Sequence, residues 1–410
     1  MFKNCFRPNL RGKYAEIFGM GEKMRAHLLT AFSVAVLSCL LFRQSYAAWE
    51  QVGTAGFAAG SGSCYFSFAL DSADVPYMAY ANSVYSDKVS VMKFNGIDWV
   101  QVGTVVVTTS GARSISLAFD SADTPYVAYA DEGVKVIKFN GTDWEQVGFA
   151  GVAEECANNL KLAIDSADVL YVAYGNCDVT PKIKLMKFNG IFWDDVGFLL
   201  AEGIDPKLAF DSTDAPYLVY TAEVSSDYKA NMMKFNGTDW EQVGAAGFTP
   251  SGGFYPQLTI NNSDVPYVAY VDDAYNEAKA NVMKFNGTDW KQVGAKRFTP
   301  VDRYDPLQLA LDSADIPYVV YSHGGSSPQI NVMKFNGTDW EQVETTGFTP
   351  GEGVFPQLAI NSSDILYVAY SDSANAFRVS VMKFHPSVSV PPNKFLPAIY
   401  HLLLKKKDLY

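Results

Sequence analysis

Seven polar side chains recur at one place in this chain, each four residues before a turn-forming Asp or Asn. They are Ser67, Ser116, Lys161, Lys207, Gln257, Gln308 and Gln357. Hydroxyl and carboxamide groups exchange hydrogen bonds with sugar hydroxyls, and two neighbouring ammonium groups, Lys161 and Lys207, suit an anion or a sugar hydroxyl. The bland alternative is a hydrated lining that holds no ligand. A second set stands just before those positions: Tyr255, Arg303, Tyr304, Asp305 and Phe355, with Tyr65 and Arg113 elsewhere. Aromatic faces stack on the apolar faces of sugars while charged groups take the hydroxyls. The same aromatics would equally serve to cap a core. A third set is acidic: Asp131, Asp272, Asp273, Glu277 and Asp372. Oxygen-rich clusters bind calcium. None of these has EF-hand spacing, and solvated loop carboxylates are common, so calcium is the weaker reading and no other cofactor is expected.

Support for catalysis is thin. Past residue 47 the chain has only His323, His385 and His401, in unrelated places. It carries no histidine pair at metal spacing, no Gly-x-Ser-x-Gly elbow and no phosphate loop. A glycosidase carboxylate pair drawn from distant loops stays open, because spacing along the chain does not reveal it. Nucleic acid is an unsuitable partner. Residues 48–386 hold 21 basic and 41 acidic residues, a formal −20, which repels a phosphate backbone.

The elements that position these groups come from a repeat. All seven Trp lie in one motif, Asn-Gly-Thr-Asp-Trp-Glu-Gln-Val-Gly and its variants, with successive spacings of 50, 45, 49, 47, 50 and 50 residues. Each unit reads as four short strands. In the second unit these are Ser116–Phe119, Tyr126–Tyr129, Val134–Phe139 and Trp144–Val147. Asp120-Ser121-Ala122-Asp123 turns the chain after the first, and Asn140-Gly141 makes the last hairpin, on the expectation that both residues take positive φ. Pro125 is tolerated where a strand opens. No unit shows a helical period.

Four strands in each unit resemble a propeller blade. The last unit has three strands, Gln357–Ile360, Tyr367–Tyr370 and Arg378–Phe384, and no Trp motif follows. A lone fourth strand stands at Trp49. This resembles the closure of many β-propellers, in which the two ends of the chain share a blade. The resemblance covers residues 48–386 and implies an all-β fold: a seven-bladed β-propeller of four-stranded antiparallel blades, closed by the N-terminal strand. It is similar to repeats of uncharacterised secreted bacterial propellers and lends no functional residues. The Trp-Asp ending of WD repeats and the paired glycines of kelch repeats are missing. The Asp-x-x-Asp and Asn-Gly turns are uniform and share one face. The connections on the other face differ in every unit, and variable loops on a rigid frame are where binding lies.

Three further expectations concern export. Residues 1–47 read as a signal segment: Arg25, an apolar stretch from Leu28 to Phe42, and Ser45-Tyr46-Ala47 before a cleavage site, with Met24 as the expected true start. Cys156 and Cys177 are equidistant from the turn at Ser166-Ala167, so antiparallel pairing places them opposite each other for a disulfide. Cys64 has no counterpart. Residues 387–410 form a tail in which an apolar run and three lysines (395–407) offer the one expected membrane contact. The sequence therefore points to a secreted or cell-surface binding module. Its partner is a glycan or, as the alternative, an extracellular protein; a polysaccharide-acting enzyme is the least favoured reading.

Overall fold

In a computed structural model, the described residues are 49–58, 65–149, 151–197, 201–273, 277–300, 306–325, 327–344 and 347–385. The expected signal segment with Met24 and Ala47, the tail with residues 395–407, and Cys64, Arg303, Tyr304 and Asp305 lie outside them. No helix among the described residues is long and apolar enough to cross a membrane.

Seven four-stranded antiparallel sheets form the blades of a propeller. Blade 1 runs Phe66–Leu70, Pro76–Asn82, Lys88–Phe94 and Trp99–Gln101, from the inner strand outwards. Blade 7 takes Gly353–Ile360, Leu366–Asp372 and Arg378–Phe384 from one end of the repeat and its outer strand, Trp49–Gln51, from the other. Trp49 pairs with Phe384 and Gln51 with Met382. The shared blade is thus the one the strand count had required.

The second strand of each blade explains the stacking. Blade faces pack against blade faces, so this strand is buried on both sides and loses the usual alternation. Pro76–Asn82 is buried at every position, as is Leu366–Asp372. A small or β-branched residue sits at its centre: Ala79, Ala128, Ala173, Val219, Ala269, Val320 and Ala369 are all fully buried. Phe57, Phe248, Phe298 and Phe348, which recur after the Trp motif, stack flat on the Trp of the next blade at 3.7–4.2 Å. Six of the Trp side chains donate Nε1–H to the carbonyl of a Val on the preceding blade, as Trp340 does to Val293 at 2.8 Å. Trp49 Nε1 is buried and has no acceptor among the described residues.

Both turn types work differently from a pair of positive φ angles. In Asn95-Gly96 only the glycine is left-handed, at φ +94°. Asn95 instead accepts hydrogen bonds at Oδ1 from the amides of Ile97 and Asp98. A Cβ at Gly96 would meet nothing, so backbone conformation alone selects the glycine. In the first turn of every blade the last Asp takes φ near +60° (Asp74, Asp123, Asp168, Asp214, Asp264, Asp315 and Asp364).

That Asp then reaches across to the preceding blade. Ser72 donates its amide and its hydroxyl to the two oxygens of Asp123, at 2.8 and 2.7 Å. Ser121, Ser166, Ser212 and Ser313 repeat the contact with Asp168, Asp214, Asp264 and Asp364, and Asn262 stands in for Ser opposite Asp315. Ser362 closes the ring onto Asp74. All seven joints on this rim are thus bonded.

Candidate functional site

The opposite end of the channel is built otherwise. Its mouth is a cavity of about 440 Å³. The residues lining it include all seven recurring polar positions: Ser67, Ser116, Lys161, Lys207, Gln257, Gln308 and Gln357. Tyr65, Arg113 and Phe355 line it too, whereas Tyr255 is not among its lining residues. Tyr255 is half-buried and packs against the core shared by blades 5 and 6. The acidic set lies apart from the mouth.

The polar positions divide into two groups. Ser67 Oγ accepts from the amide of Leu117, and Ser116 Oγ from that of Leu162. Gln308 Oε1 accepts from Leu358 and Gln357 Oε1 from Phe68, at 3.1 and 2.8 Å. Gln357 Nε2 also donates to Phe66 O. In these four blades the side chain stitches its inner strand to the next blade, a structural duty. Lys161, Lys207 and Gln257 make no such stitch. A charged lysine has no lone pair to accept an amide. Gln257 donates back to Tyr255 O at 3.4 Å, within its own strand.

A backbone irregularity marks these three blades and blade 7. Inner-strand pairing shifts register just before Lys161, Lys207, Gln257 and Gln357. The residue two positions earlier is left-handed in each: Asn159 (φ +51°), Asp205 (+56°), Tyr255 (+49°) and Phe355 (+54°). For a bulky Tyr or Phe this conformation is uncommon, and such residues cost on the order of 1–3 kcal/mol each. Bulges of this kind re-aim side chains next to functional sites. Asn159 and Asp205 were not singled out from sequence, yet they occupy the repeat position of Tyr255 and Phe355, which were. Aligning the units would have found them.

Electrostatics concentrate at blades 3 and 4. Lys161 and Lys207 are half-buried. Loss of hydration, and then the neighbouring Lys207 charge, pull Lys161 down to about 8. Burial also pulls Lys207 down, with Asp205 opposing. Asp205 is buried, which pushes its carboxyl up against the pull of Lys207 and a hydrogen bond from Asn159 Nδ2.

The proposed calcium residues belong to their own loops. Asp131 pairs with Lys135 at 2.7 Å and accepts from Ser110 Oγ and Gly133 N. Asp272 pairs with Arg297 at 2.7 Å and accepts from Ser251. Asp372 accepts from Ala374 N, Asn375 Nδ2 and Ser380 Oγ. With Asp273, they are spread over three blades. Among the described residues no group of three or more His, Cys, Asp or Glu is placed to hold a metal. Cys156 and Cys177 are joined in a disulfide with Cα atoms 5.5 Å apart.

No family model and no curated protein matches this chain. Solved structures do. An ulvan lyase of polysaccharide lyase family PL25, bound to -[GlcA(1-4)Rha3S]-, superposes with a TM-score of 0.55 at 10% identity, covering 80% of this chain and 94% of that one. The polysaccharide lyase Uly1 gives 0.52 at 10% identity, covering 83% and 94%. A protein of unknown function from Dyadobacter fermentans gives 0.50 at 9% identity, covering 82% and 99%. At these identities the likeness speaks to fold, and it agrees with the sheets and their register: the chain is a seven-bladed β-propeller.

Proposed function

We propose that this propeller is a secreted or cell-surface binding module that recognises carbohydrate at its channel mouth. One observation carries the reading. On one arc of an otherwise stitched ring, polar side chains are left for a ligand, each two residues after a left-handed residue, in a mouth that an exposed Tyr65 and Phe355 also line. The cavity volume falls within the range of about 300–1,000 Å³ usual for small-ligand sites. Two of the structurally similar proteins act on polysaccharide, which makes the fold compatible with sugars without assigning a chemistry. Export is supported by the Ser45-Tyr46-Ala47 cleavage pattern and by the disulfide, a bond that persists in oxidising compartments.

A glycan array probed with the purified protein, with and without calcium, tests this. Phe355 also packs against the core of blades 7 and 1, so binding that Phe355→Ala abolishes while the variant still unfolds in one cooperative step supports the mouth. Calcium dependence would bring the acidic loops into the site. A blank array at high protein concentration would overturn the reading.

A second reading, a protein-binding scaffold, rests on a different surface. Phe149, Ile191 and Phe192 are exposed by 87%, 62% and 53%, and the Phe149 amide donates to Ile191 O. Exposed apolar clusters of this kind mark interaction sites. A pull-down that Phe149→Ser abolishes, and that no sugar competes, would favour it.

A further inference from the structure

Resting on the carbohydrate reading, we propose that the mouth selects an acidic saccharide. Its carboxylate or sulfate would sit between Lys161 and Lys207, with Arg113 at the rim.

The argument begins with a contrast in charge. Residues 48–386 carry a formal −20. Among the described residues, the lining of the mouth includes Lys161, Lys207 and Arg113 and no Asp or Glu. An acidic protein thus presents a small cationic mouth, and low-dielectric walls strengthen such a field.

Six lysines elsewhere in this molecule are neutralised, and Lys93, Lys187, Lys284 and Lys334 lie over Tyr rings instead. Lys135, Lys138, Lys184, Lys234, Lys279 and Lys383 each hold a carboxylate at 2.6–3.3 Å. Lys161 has no acceptor among the described residues, and Lys207 Nζ reaches only Pro206 O, at 3.3 Å. Among the described residues, Asp205 is the carboxylate that acts on Lys207. It is buried and already engaged by Asn159, so it leaves Lys161 uncompensated.

A structural role does not explain the pair. The matching positions in blades 1, 2, 6 and 7 hold Ser or Gln and bond the next blade through an acceptor atom. Ammonium groups cannot do this. Two half-buried like charges side by side are unfavourable until an anion joins them. Gln257 and the Phe355 ring complete the site, one for hydroxyls and one for an apolar sugar face.

The test uses two matched pairs of ligands and calorimetric titration of the whole protein at pH 7. One pair is trigalacturonate and its methyl ester; the other is a sulfated galactan tetrasaccharide and its desulfated form. At least one acidic member should bind tenfold or more tighter than its neutral partner, and the pair that shows the preference identifies carboxylate or sulfate. In K161M/K207M the preference should vanish while the melting temperature is held. The unmutated protein supplies an independent readout. Its preference should fade between pH 7 and 9, as Lys161 loses its proton near 8 beside Lys207, whose own value burial also lowers, and beside Asp205 and Arg113. In K161R, whose charge persists, it should survive at pH 9.

Equal binding of acidic and neutral forms would overturn this inference and leave the carbohydrate reading standing. So would a preference that survives K161M/K207M. Binding of none of the four sugars would remove both.

Discussion

The two rims of the channel are made from the same seven repeats and end up with opposite properties. On the turn rim every joint between blades carries the same two-point contact, from Ser or Asn to the Asp of the next blade, right round to Ser362 and Asp74. On the loop rim four joints are stitched. Lys161, Lys207 and Gln257 make no such stitch, and the joint between blades 3 and 4 is held instead by Asn159 and Asp205. The comparison separates two uses of a polar residue. Where its hydrogen bonds are spent on the neighbouring blade, it holds the ring together. Where they are withheld, it is free to meet a ligand, and the frame is rigid because the other rim is complete.

The largest expected effect comes from the outer joints that both rims depend on. Trp340→Ala removes a stack on Phe298 and a hydrogen bond to Val293 O, and should cost about 3–5 kcal/mol in denaturant unfolding. Trp49→Ala removes ring contacts on Phe348 and Phe384 but no hydrogen bond, and should cost about 1 kcal/mol less. Equal losses would show that the Trp hydrogen bonds contribute nothing.

Next comes the loop rim itself. Gln357→Ala leaves the Phe68 amide without its acceptor and should destabilise by about 1–3 kcal/mol. Gln257→Ala breaks no stitch and should stay within about 0.5 kcal/mol. If the two variants lose the same stability, the division of the rim into stitched and open arcs fails.

Acid titration probes the turn rim. Asp211 is buried; burial raises its carboxyl, but Lys234 at 2.8 Å, Thr213 and the amides of Thr213 and Ala215 bring it to about 2. Its folded value lies below the unfolded one. Its stabilisation is therefore complete above about pH 4 and is lost as pH falls towards 2, an amount on the order of 2 kcal/mol. Asp211→Asn should flatten that part of the stability–pH curve, and an unchanged slope would remove the ion pair from the account. The smallest effect sharpens the contrast. Lys161→Gln supplies an acceptor facing Leu208 and should raise stability by about 0.5–1.5 kcal/mol, read as a higher unfolding midpoint.

Much of this architecture was legible in the chain because it is local and repeated. The Trp motif, the Asn-Gly and Asp-x-x-Asp turns and the missing fourth strand at His385 set strand order and closure before any coordinate. The strands that formed differ at their ends: Ser114–Phe119 starts two residues earlier than expected, and blade 7 opens at Gly353 rather than Gln357. Both extensions approach the mouth, where the bulge at Phe355 adds pairing that no alternation pattern signals. The mouth residues were found as a set because they share one repeat position. What escaped was which of them are occupied by structure. The Gln357 stitch depends on Phe68, which is 289 residues away, and an acceptor at that distance has no sequence signature. The lysines of the third strands show the same limit. Lys93, Lys187, Lys284 and Lys334 lie over Tyr rings at 5.1–5.9 Å, and among the described residues of these strands Lys234 takes a turn Asp, a difference that the shared repeat position does not signal.

The strand Trp49–Gln51 has a consequence in time. It is synthesised before any complete blade, and its partner, Arg378–Phe384, comes more than 300 residues later. Pairings this distant along the chain are slow to form. While the chain grows, blades 1 to 6 can each complete their four strands, but the circle stays open, with the Arg378–Phe384 edge not yet made and the Trp49 strand unpaired. At synthesis rates of about 5–20 residues per second this interval lasts on the order of 15–70 s. Closure of the ring therefore has to wait for Arg378–Phe384 to be made.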